Sequence, residues 1–534
     1  MVNASVIDEQ ARIVGYHCPD RYNASRLLFD NLANGRGDYP AVVTEHGITT
    51  YAALAGEANR CGNILINRGL SRGDRVIILM DDEPACPAAI MGAMKAGLVP
   101  ILVNTLSTQE LLRYYVVDSG ARAAVVSAGF EQILTPALIS ETTCDTLITS
   151  GQDDGPWIGR ESLLACSAEL EEAETHKDDM AFWMYSSGTT GRPKGVVHRH
   201  EDPLYTHFTY ARHFLKLGPG DICYSIPKIF FAYGFGNSVT FPFAVGAAAL
   251  LTTGRPEPAP IFDLIRRCRP TVLFALPTAY TALARFADTR ATDLTSVRLC
   301  ISAAEVLSND IADAWLKQFD LGIVEGLGST EVLHIYLSND STRRKPGSAG
   351  RAVPGYAIRL RDSDGNLVEN DGEGVMEVAG LSNTRQYWNQ PEKTAETIKG
   401  NGEWILTGDR FRRDEDGFYF FLGRADDLVK VSGQWVWPLE IEITLAEHPA
   451  VYECAVVAEE LPDRRMTVVA YVVPLNGVTA DEELSRELQA FVKQTLVPYK
   501  YPREIRYRDE LPKTGTGKID RRALRRQKSG VVGS

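Results

Sequence analysis

Apolar segments alternate with helix-like segments through much of the chain, and this pattern constrains the fold most. Arg75–Leu79, Val99–Val103 and Ala123–Ser127 have the composition of buried strands, and helix-like segments of about ten residues separate them. Such alternation predicts right-handed crossovers and a mainly parallel sheet. The alternation resumes between residues 247 and 325. We therefore expect an α/β fold whose ligands bind beyond the carboxyl ends of the strands.

The composition changes twice toward the carboxyl end of the chain. Short strands with Gly, Asp and Asn turns fill residues 357–422 and predict a small antiparallel or barrel-like subdomain. Helix-like segments return at Pro438–Glu447 and Asp481–Leu496, between short strands. We place the boundary near Asp426, which gives a large domain of residues 1–425 and a small α+β domain of residues 426–534. Near the amino end, Ala41–Thr44 and Thr49–Tyr51 are predicted to form a hairpin.

Charge and cysteine usage exclude several classes of protein. The net charge of −13 over 534 residues disfavours non-specific binding to nucleic acid or to an anionic membrane surface. No apolar run is long enough to span a membrane, and the first residues lack the pattern of a signal peptide. The nine cysteines are scattered without Cys-x-x-Cys spacing, which indicates free thiols. We expect a cytoplasmic protein.

The loop Tyr185–Gly195 stands out because it concentrates phosphate-binding chemistry between two predicted strands. It offers unhindered backbone N–H groups, the hydroxyls of two Ser and two Thr residues, and two cations. Those groups can hold a polyphosphate, although the same residue types occur in ordinary surface hairpins. The loop differs from the Walker sequence because Pro193 occupies the position where a glycine must precede the lysine.

Three later stretches carry polar groups whose role is ambiguous when each is taken alone. Glu325–Glu331 ends a predicted strand with glycines and a carboxylate, which suits an adenine, an acyl group or Mg²⁺, or only a capped turn. Trp404–Asp409 places a carboxylate after a strand, where it can accept ribose hydroxyls or simply serve a turn. Pro512–Lys518 is either a second anion loop or a solvated terminus.

Taken together, these stretches resemble the adenylate-forming superfamily of acyl-CoA synthetases, luciferases and peptide-synthetase adenylation domains. The resemblance covers essentially the whole chain. It is carried by five motifs in one order: Ser186–Gly195, Gly328–Glu331, Thr407–Asp409, Gly423–Arg424 and Gly515–Lys518. Lys228–Asn237 and Thr330–Asn339 look most like the benzoate–CoA ligase branch.

The resemblance implies a two-step reaction and a set of site residues. A carboxylic acid reacts with MgATP to give an acyl-adenylate and pyrophosphate, and the acyl group then passes to a thiol. The implied catalytic residues are Lys518, Thr330 and Glu331, and Glu331 also holds Mg²⁺. The implied ATP-binding residues are Ser186, Ser187, Gly188, Thr189, Thr190, Gly191, Lys194, Asp409 and Arg424.

In the family, the small domain is mobile and serves the two half-reactions in turn. The resemblance makes Asp426 the hinge, and it places Lys430 and Gly433 along the tunnel for coenzyme A. Rotation would withdraw Lys518 and bring in Gly433, whose missing side chain admits the pantetheine arm. Acetylation of Lys518 by a lysine acetyltransferase, reversed by a deacetylase, would remove its charge.

The predicted acyl pocket is short, apolar and aromatic, and it suits one flat ring. It comprises Phe231, Ala232, Tyr233, Gly234, Ala303, Ala304, Leu327, Gly328 and His334. Adenylation domains for amino acids usually carry an Asp after the aromatic residue that corresponds to Phe231, so Ala232 disfavours an α-amino acid. Ala304 stands where benzoate ligases commonly have glycine, and its methyl group is expected to narrow the pocket. The choice between benzoate and a hydroxy- or aminobenzoate stays open.

The acceptor is predicted to be free coenzyme A, because no carrier-protein signature follows the small domain in this sequence. A stand-alone aryl acid adenylase that loads a separate carrier protein is the alternative. A catalytically silent nucleotide-sensing protein is disfavoured by the joint presence of Lys518, Glu331 and Asp409. The expected partners are therefore a small aromatic carboxylate, ATP and coenzyme A, and a homodimer is an assembly that the sequence leaves open.

Overall fold

A computed structural model describes most of the chain. It covers residues 5–186, 192–286, 293–304, 307–340, 343–425, 429–431, 434–461, 466–475, 477–497, 500–513 and 519–526. At positions 401, 430, 434, 435 and 522 only the backbone is described. Among the described residues, no helix combines the length and the apolar character needed to cross a membrane.

The first part of the chain alternates strands with helices. The strands are β1 (Pro40–Thr44), β2 (Gly47–Thr50), β3 (Arg75–Leu79), β4 (Val99–Leu102), β5 (Ala123–Val126), β6 (Thr146–Thr149) and β7 (Trp157–Ile158). The helices are α1 (Val6–Ile13), α2 (Arg26–Ala33), α3 (Tyr51–Asn67), α4 (Ala85–Lys95), α5 (Gln109–Ser119) and α6 (Arg160–Ala165).

The central part repeats the alternation. Its strands are β8 (Met180–Ser186), β9 (Lys194–Arg199), β10 (Ile222–Ser225), β11 (Ala248–Leu250), β12 (Val272–Ala275), β13 (Leu299–Ser302), β14 (Ile323–Gly328), β15 (Ile335–Ser338) and β16 (Arg351–Ala352). Its helices are α7 (Glu201–Thr206), α8 (Ala232–Phe235), α9 (Phe241–Val245), α10 (Pro258–Cys268), α11 (Pro277–Phe286) and α12 (Asn309–Phe319). Two π-helical segments, His207–Phe214 and Gly236–Thr240, extend α7 and α8.

The last part contains the subdomain and the small domain. The subdomain has β17 (Ala357–Arg361), β18 (Gly372–Ala379), β19 (Gln386–Tyr387), α13 (Pro391–Thr397), β20 (Ile398–Lys399), β21 (Trp404–Arg413) and β22 (Tyr419–Arg424). The small domain has β23 (Val429–Val431), β24 (Gln434–Val436), α14 (Pro438–Ala446), β25 (Val451–Glu460), β26 (Met466–Pro474), α15 (Glu482–Thr495), β27 (Glu504–Tyr507) and α16 (Arg521–Arg526).

Two large sheets, both mainly parallel, confirm the predicted α/β class. The first has the order β19-β9-β8-β4-β3-β5-β6-β7, and only β9 and β19 add antiparallel pairs at its edge. The second has the order β16-β15-β14-β13-β12-β10-β11-β1-β2 and is parallel from β14 to β1. Helices α2, α3, α4 and α9 share a buried core with strands of both sheets.

Three smaller sheets occur among the described residues, one of them the two-stranded pair β23–β24. The strands β17, β18, β20, β21 and β22 form an antiparallel sheet next to the large sheets. The small domain packs β25, β26 and β27 against α14 and α15 around its own core. Trp437 of the small domain faces the large one, because a Cβ on Gly423 would lie only 3.2 Å from its ring. The predicted boundary at Asp426 lies outside the described residues.

One local prediction is wrong. The sequence pattern predicts Tyr51 as the last residue of the second hairpin strand. In the structure that strand ends at Thr50, and Tyr51 is the first residue of the 17-residue helix α3. The hydroxyl of Thr50 caps that helix by accepting from the Ala53 N–H at 3.2 Å. The Tyr51 hydroxyl donates to the Ala247 carbonyl at 2.6 Å, so a tertiary contact favours the helical position.

Candidate active site

The predicted phosphate loop lies between two paired strands. β8 ends at Ser186 and β9 begins at Lys194, and these two residues pair directly in the hairpin. The hydroxyl of Ser186 is buried without a hydrogen-bond partner among the described residues. Tyr114 fixes the far side of the loop by donating its hydroxyl to the Pro193 carbonyl at 2.9 Å. The loop residues Ser187, Gly188, Thr189, Thr190 and Gly191 lie outside the described residues.

Lys194 and Glu331 meet beside Tyr387. The Lys194 ammonium lies 4.0 Å from the centre of the Tyr387 ring, and the Tyr387 hydroxyl donates to Glu331 Oε1 at 2.9 Å. Burial lowers the pKa of Lys194, and the nearby Glu331 carboxylate opposes that shift. Tyr387 thus holds the carboxylate in one orientation beside a cation, which is the arrangement needed to face a metal-bound phosphate.

A buried histidine ties β9 to the turn that carries Glu331. His198 Nδ1 lies 3.0 Å from Asp202 Oδ2, and His198 Nε2 lies 2.8 Å from the Thr330 carbonyl oxygen. Neighbouring cations hold the pKa of Asp202 below its usual value despite its burial. The two contacts of His198 fix the Thr330–Glu331 turn against the strand that follows the phosphate loop.

Asp409 and Arg424 face each other on the subdomain. They are directly paired in register on β21 and β22, and Arg424 Nη1 donates to Asp409 Oδ1 at 2.9 Å. The same guanidinium nitrogen also donates to the Thr407 carbonyl at 3.3 Å. The ion pair fixes the Asp409 carboxylate and the Arg424 guanidinium beside each other on the two strands.

Strained backbone lies in the segments that follow strands β13 and β14. Ala304 has φ of 75° and Leu333 has φ of 73°, a left-handed region that side chains with a Cβ rarely adopt. Ala303 is buried, and Leu327 and Gly328 end the neighbouring strand β14. A Cβ on Gly328 would lie 2.5 Å from the His334 carbonyl oxygen, so the turn into Thr330 requires glycine. Strain of this kind clusters at binding sites.

Aromatic rings form the opposite side of the site. Phe231 precedes α8 and packs against Phe230, with 4.4 Å between the ring centres, and Ala232 is buried. The Tyr233 hydroxyl donates to the Ile301 carbonyl at 3.3 Å. Gly234 allows the close turn, because a Cβ there would lie 2.0 Å from the Lys228 carbonyl oxygen. These contacts fix the rings against the second sheet.

His334 is completely buried among rings and is uncharged. Its neighbours are Tyr210, Tyr233 and Phe241, with ring centres 5.5, 5.6 and 4.4 Å away. Its Nε2 lies 3.2 Å from Asn237 Oδ1, and burial lowers its pKa to about 3. A Cβ on Gly236 would lie 2.3 Å from its ring. His334 thus acts as a neutral part of the wall and cannot pair with a carboxylate as a cation.

The site therefore has two sides with different chemistry. The charged side comprises Lys194, Thr330, Glu331, Asp409 and Arg424, and we call it the nucleotide side after the role predicted for it. The side with the aromatic rings comprises Phe231, Ala232, Tyr233, Gly234, Asn237 and His334, and we call it the acyl side after its predicted role. Ala303, Ala304, Leu327 and Gly328 lie at the strand ends between them.

Several predicted residues are not described by the structure. Lys518, Asp426 and Gly433 lie outside the described residues, and Lys430 is described only as backbone within β23. Their predicted roles stay predictions.

Two residues of the site were missed by sequence reasoning. Tyr387 donates a hydrogen bond to Glu331, which lies 56 positions away along the chain. His198 contacts the carbonyl of Thr330, which lies 132 positions away. Tyr387 sits on the short edge strand β19, whose two residues carry no periodic signal. For His198, its spacing of four residues from Asp202 was the available hint.

Comparisons with known proteins agree with this geometry. The AMP-binding enzyme family matches residues 29–388, and its carboxyl-terminal domain family matches residues 440–518. The chain is 42% identical over 532 residues to the benzoate–CoA ligase of Thauera aromatica, an alignment that covers 98% of this chain and 100% of that protein.

Solved structures show the same relationship. A benzoate CoA ligase from Burkholderia xenovorans LB400 superposes with a TM-score of 0.87 at 38% identity, covering 94% of this chain and 100% of that one. The anthranilate CoA ligase AuaEII, solved with anthranoyl-AMP, superposes with a TM-score of 0.90 at 33% identity over 96% of this chain and 98% of that one. With family matches across both domains, this chain belongs to the AMP-binding enzyme family.

Proposed function

We propose that the chain is an aromatic acid–CoA ligase that forms AMP. It activates benzoate or a small hydroxy- or aminobenzoate with ATP, and it then transfers the aroyl group to coenzyme A. The observation that carries the substrate class is the neutral ring wall around His334, three residues after Glu331. The relatives with benzoate and anthranilate in their names support the same class.

In the first half-reaction, an oxygen of the substrate carboxylate attacks the α-phosphorus of ATP. The bond from that phosphorus to the bridging oxygen breaks, and pyrophosphate leaves with the electron pair. We assign Lys518 to the charge that develops at the α-phosphate, and Lys194 with the loop before it to the departing pyrophosphate. Asp409 and Arg424 hold the ribose. No protein nucleophile is needed.

The Glu331 carboxylate is a suitable protein ligand for a magnesium ion that arrives with ATP. Among the described residues no cluster of three or more candidate metal ligands occurs, so the protein would contribute mainly the Glu331 carboxylate. Tyr387 occupies one of its oxygens and leaves the other for the ion. Mg²⁺ typically uses one or two carboxylates together with phosphate oxygens and water. When bound, it would neutralise phosphate charge.

In the second half-reaction, the small domain turns about Asp426 and presents the face around Gly433 and Lys430. The sulfur of coenzyme A attacks the aroyl carbonyl carbon, the bond to the AMP oxygen breaks, and the thiol proton passes to solvent. The products are aroyl-CoA and AMP. Residues 426–534 thus act as the moving unit in this proposal.

Separate observations bear on the acceptor, the location and the regulation. The carrier-protein alternative is not favoured, because the benzoate and anthranilate relatives that match over their whole length are named as CoA ligases. All nine cysteines are free, which supports a reducing compartment such as the cytoplasm. A homodimer and reversible acetylation of Lys518 stay predictions of the sequence.

Product analysis tests the proposed function. The protein is incubated with benzoate, ATP, Mg²⁺ and coenzyme A, and the products are separated by chromatography. We expect equal amounts of AMP, pyrophosphate and benzoyl-CoA. Formation of ADP and phosphate would contradict the adenylate mechanism. Pyrophosphate release followed by transfer to a carrier protein, with none to coenzyme A, would instead support the aryl acid adenylase.

A further inference from the structure

The last turns of helix α5 hold both strands that flank the phosphate loop. The Tyr185 hydroxyl, next to the last residue of β8, donates to Asp118 Oδ2 at 2.7 Å. The Tyr114 hydroxyl donates to the Pro193 carbonyl at 2.9 Å, one residue before β9 begins. Tyr114 and Asp118 are four residues apart in α5 and therefore lie on the same face of the helix. That face thus contacts the chain on both sides of the loop.

The same helix end also holds β19, the short strand that ends at Tyr387. The backbone carbonyl of Asp118 accepts from the indole N–H of Trp388 at 2.8 Å. The backbone N–H of Trp388 donates to the Gly195 carbonyl at 2.8 Å. Because Trp388 directly follows Tyr387, these two bonds help to place the Tyr387 ring, whose centre lies 4.0 Å from the Lys194 ammonium. Helix α5 therefore supports both the lysine and the ring beside it.

Tyr114 is the α5 residue whose contact leads most directly to Lys194. Its hydroxyl holds the Pro193 carbonyl, and the planar peptide group that contains this carbonyl also contains the backbone nitrogen of Lys194. The Tyr114 ring lies 5.2 Å from the Arg192 guanidinium, so it contacts the chain on both sides of Pro193. Burial and the neighbouring Asp118 carboxylate raise the pKa of Tyr114 to about 12. Its hydroxyl is therefore a donor at neutral pH.

We propose that Tyr114 is a positioning residue for pyrophosphate, which acts by holding the backbone that presents Lys194. This inference rests on the proposed function, because pyrophosphate enters or leaves the site only if the chain forms an adenylate. Backbone that is held before the ligand arrives loses less conformational entropy on binding. Tyr114 needs no contact with the nucleotide in this role. The adenylate has lost the β- and γ-phosphates, so transfer of the aroyl group to coenzyme A does not depend on Tyr114.

Separate kinetics of the two half-reactions test this assignment on the full chain. Tyr114→Phe keeps the ring beside Arg192 and removes only the hydroxyl. In the reverse of the first half-reaction, benzoyl-AMP and pyrophosphate give benzoate and ATP, and we expect the KM for pyrophosphate to rise about tenfold. The KM for ATP in the forward direction should rise with it. Formation of benzoyl-CoA from benzoyl-AMP should keep its kcat/KM within about twofold, because that step involves no pyrophosphate.

A double substitution tests whether the effect passes through Lys194. In a chain that carries Lys194→Ala, the further change Tyr114→Phe should leave the KM for pyrophosphate unchanged, because the lysine that Tyr114 positions is already lost. A further rise of about tenfold in that background would overturn the inference, since the two residues would then act independently.

Tyr51→Phe is the matched control, because its hydroxyl also donates to a carbonyl, that of Ala247 at 2.6 Å, and lies outside the site. It should lower the Tm and leave the kinetics of both half-reactions unchanged. A Tyr114→Phe variant with an unchanged KM for pyrophosphate would overturn the inference, and so would an equal loss in both half-reactions, which indicates a structural role. Failure of the unaltered protein to form ATP from pyrophosphate and the adenylates of benzoate and its hydroxy and amino derivatives would instead refute the proposed function.

Discussion

Hydrogen-bonded charges build the nucleotide side of the site, whereas packed rings build the acyl side. On the nucleotide side, Glu331 and Asp409 are each held by a donor from another element, at 2.9 Å in both cases. On the acyl side, three aromatic rings surround His334, and its Nε2 lies 3.2 Å from Asn237 Oδ1. We expect the first side to bind a ligand common to many reactions and the second to select the acid by shape.

The largest expected effect is on the nucleotide side. Lys518→Ala should slow adenylate formation about a thousandfold, because a cation at the developing phosphate charge is lost. Thioester formation from supplied aroyl-AMP should be largely kept. Both half-reactions are measured separately, by pyrophosphate release and by aroyl-CoA formation. Lys513→Ala is the control, because that lysine pairs with Glu453 instead. Equal loss of both half-reactions would refute the division of roles.

Two buried groups beside the site, Glu325 and His334, should make stability respond oppositely to pH. Burial raises the pKa of Glu325, on β14, to about 7, although Arg344 opposes the shift. The unfolded chain ionises near pH 4.5, so stability is lost as pH rises from there to about 7, by about 3 kcal/mol. Glu325→Gln should abolish this loss in denaturant unfolding measured from pH 5 to 8.

His334 supplies the contrast in that experiment. Its folded pKa of about 3 lies below the ordinary value of 6.5. Its contribution to the free energy of unfolding is therefore fully present above pH 6.5 and is lost as pH falls. The reason is that His334 binds a proton in the unfolded chain at a pH where it does not bind one in the folded chain. His334→Gln should flatten the acid limb of the stability curve. If Glu325→Gln leaves the slope above pH 5 unchanged, the buried carboxylate is not its source.

A substitution behind the ring wall should affect the acyl side alone. The methyl group of Gly236→Ala would lie 2.3 Å from the His334 ring and displace it toward the acyl pocket. We expect the KM for benzoate to rise about tenfold while the KM for ATP stays unchanged. Gly220→Ala is the matched control, since no atom lies within 4 Å of the added methyl. Equal increases in both KM values would show that the two sides are not separable.

The smallest effect concerns the strand ends between the two sides. Ala304 adopts φ of 75°, so Ala304→Gly should relieve strain and raise the free energy of unfolding by about 1 kcal/mol. The buried neighbour Ala303 is not among the residues with positive φ. Ala303→Gly should therefore lower the free energy of unfolding by about 1 kcal/mol. Urea unfolding measures both variants. A destabilised Ala304→Gly would mean that its methyl contacts outweigh the backbone strain.

Some parts of the molecule could be predicted because the residues that determine them lie close together in the sequence. The predicted strand Arg75–Leu79 matches β3 residue for residue. A short, nearly continuous apolar run is typical of a parallel strand that is buried on both faces. Lys194 and Glu331 could be singled out because each is a polar residue at a strand end or shortly after one. Asp409 was expected to follow a strand, but it lies inside β21, which continues to Arg413 because it pairs with β18 and β22 on either side. The family resemblance then supplied their order and expected roles.

Other parts depend on tertiary contacts that no local pattern encodes. Helix α3 begins at Tyr51 because a hydroxyl cap and a contact 196 positions away outweigh the strand preference of Thr49–Tyr51. Tyr387 orients Glu331 from a two-residue strand.

The most direct test of the account is a panel of acids scored by pyrophosphate release, with ATP and Mg²⁺ present and coenzyme A added in a second series. Benzoate and its hydroxy and amino derivatives are compared with hexanoate and phenylalanine. The ring wall predicts that the best benzoate derivative exceeds hexanoate in kcat/KM by about a hundredfold, and that phenylalanine is inactive. Hexanoate turnover equal to that of every aromatic acid would contradict the assignment of an aromatic acid–CoA ligase.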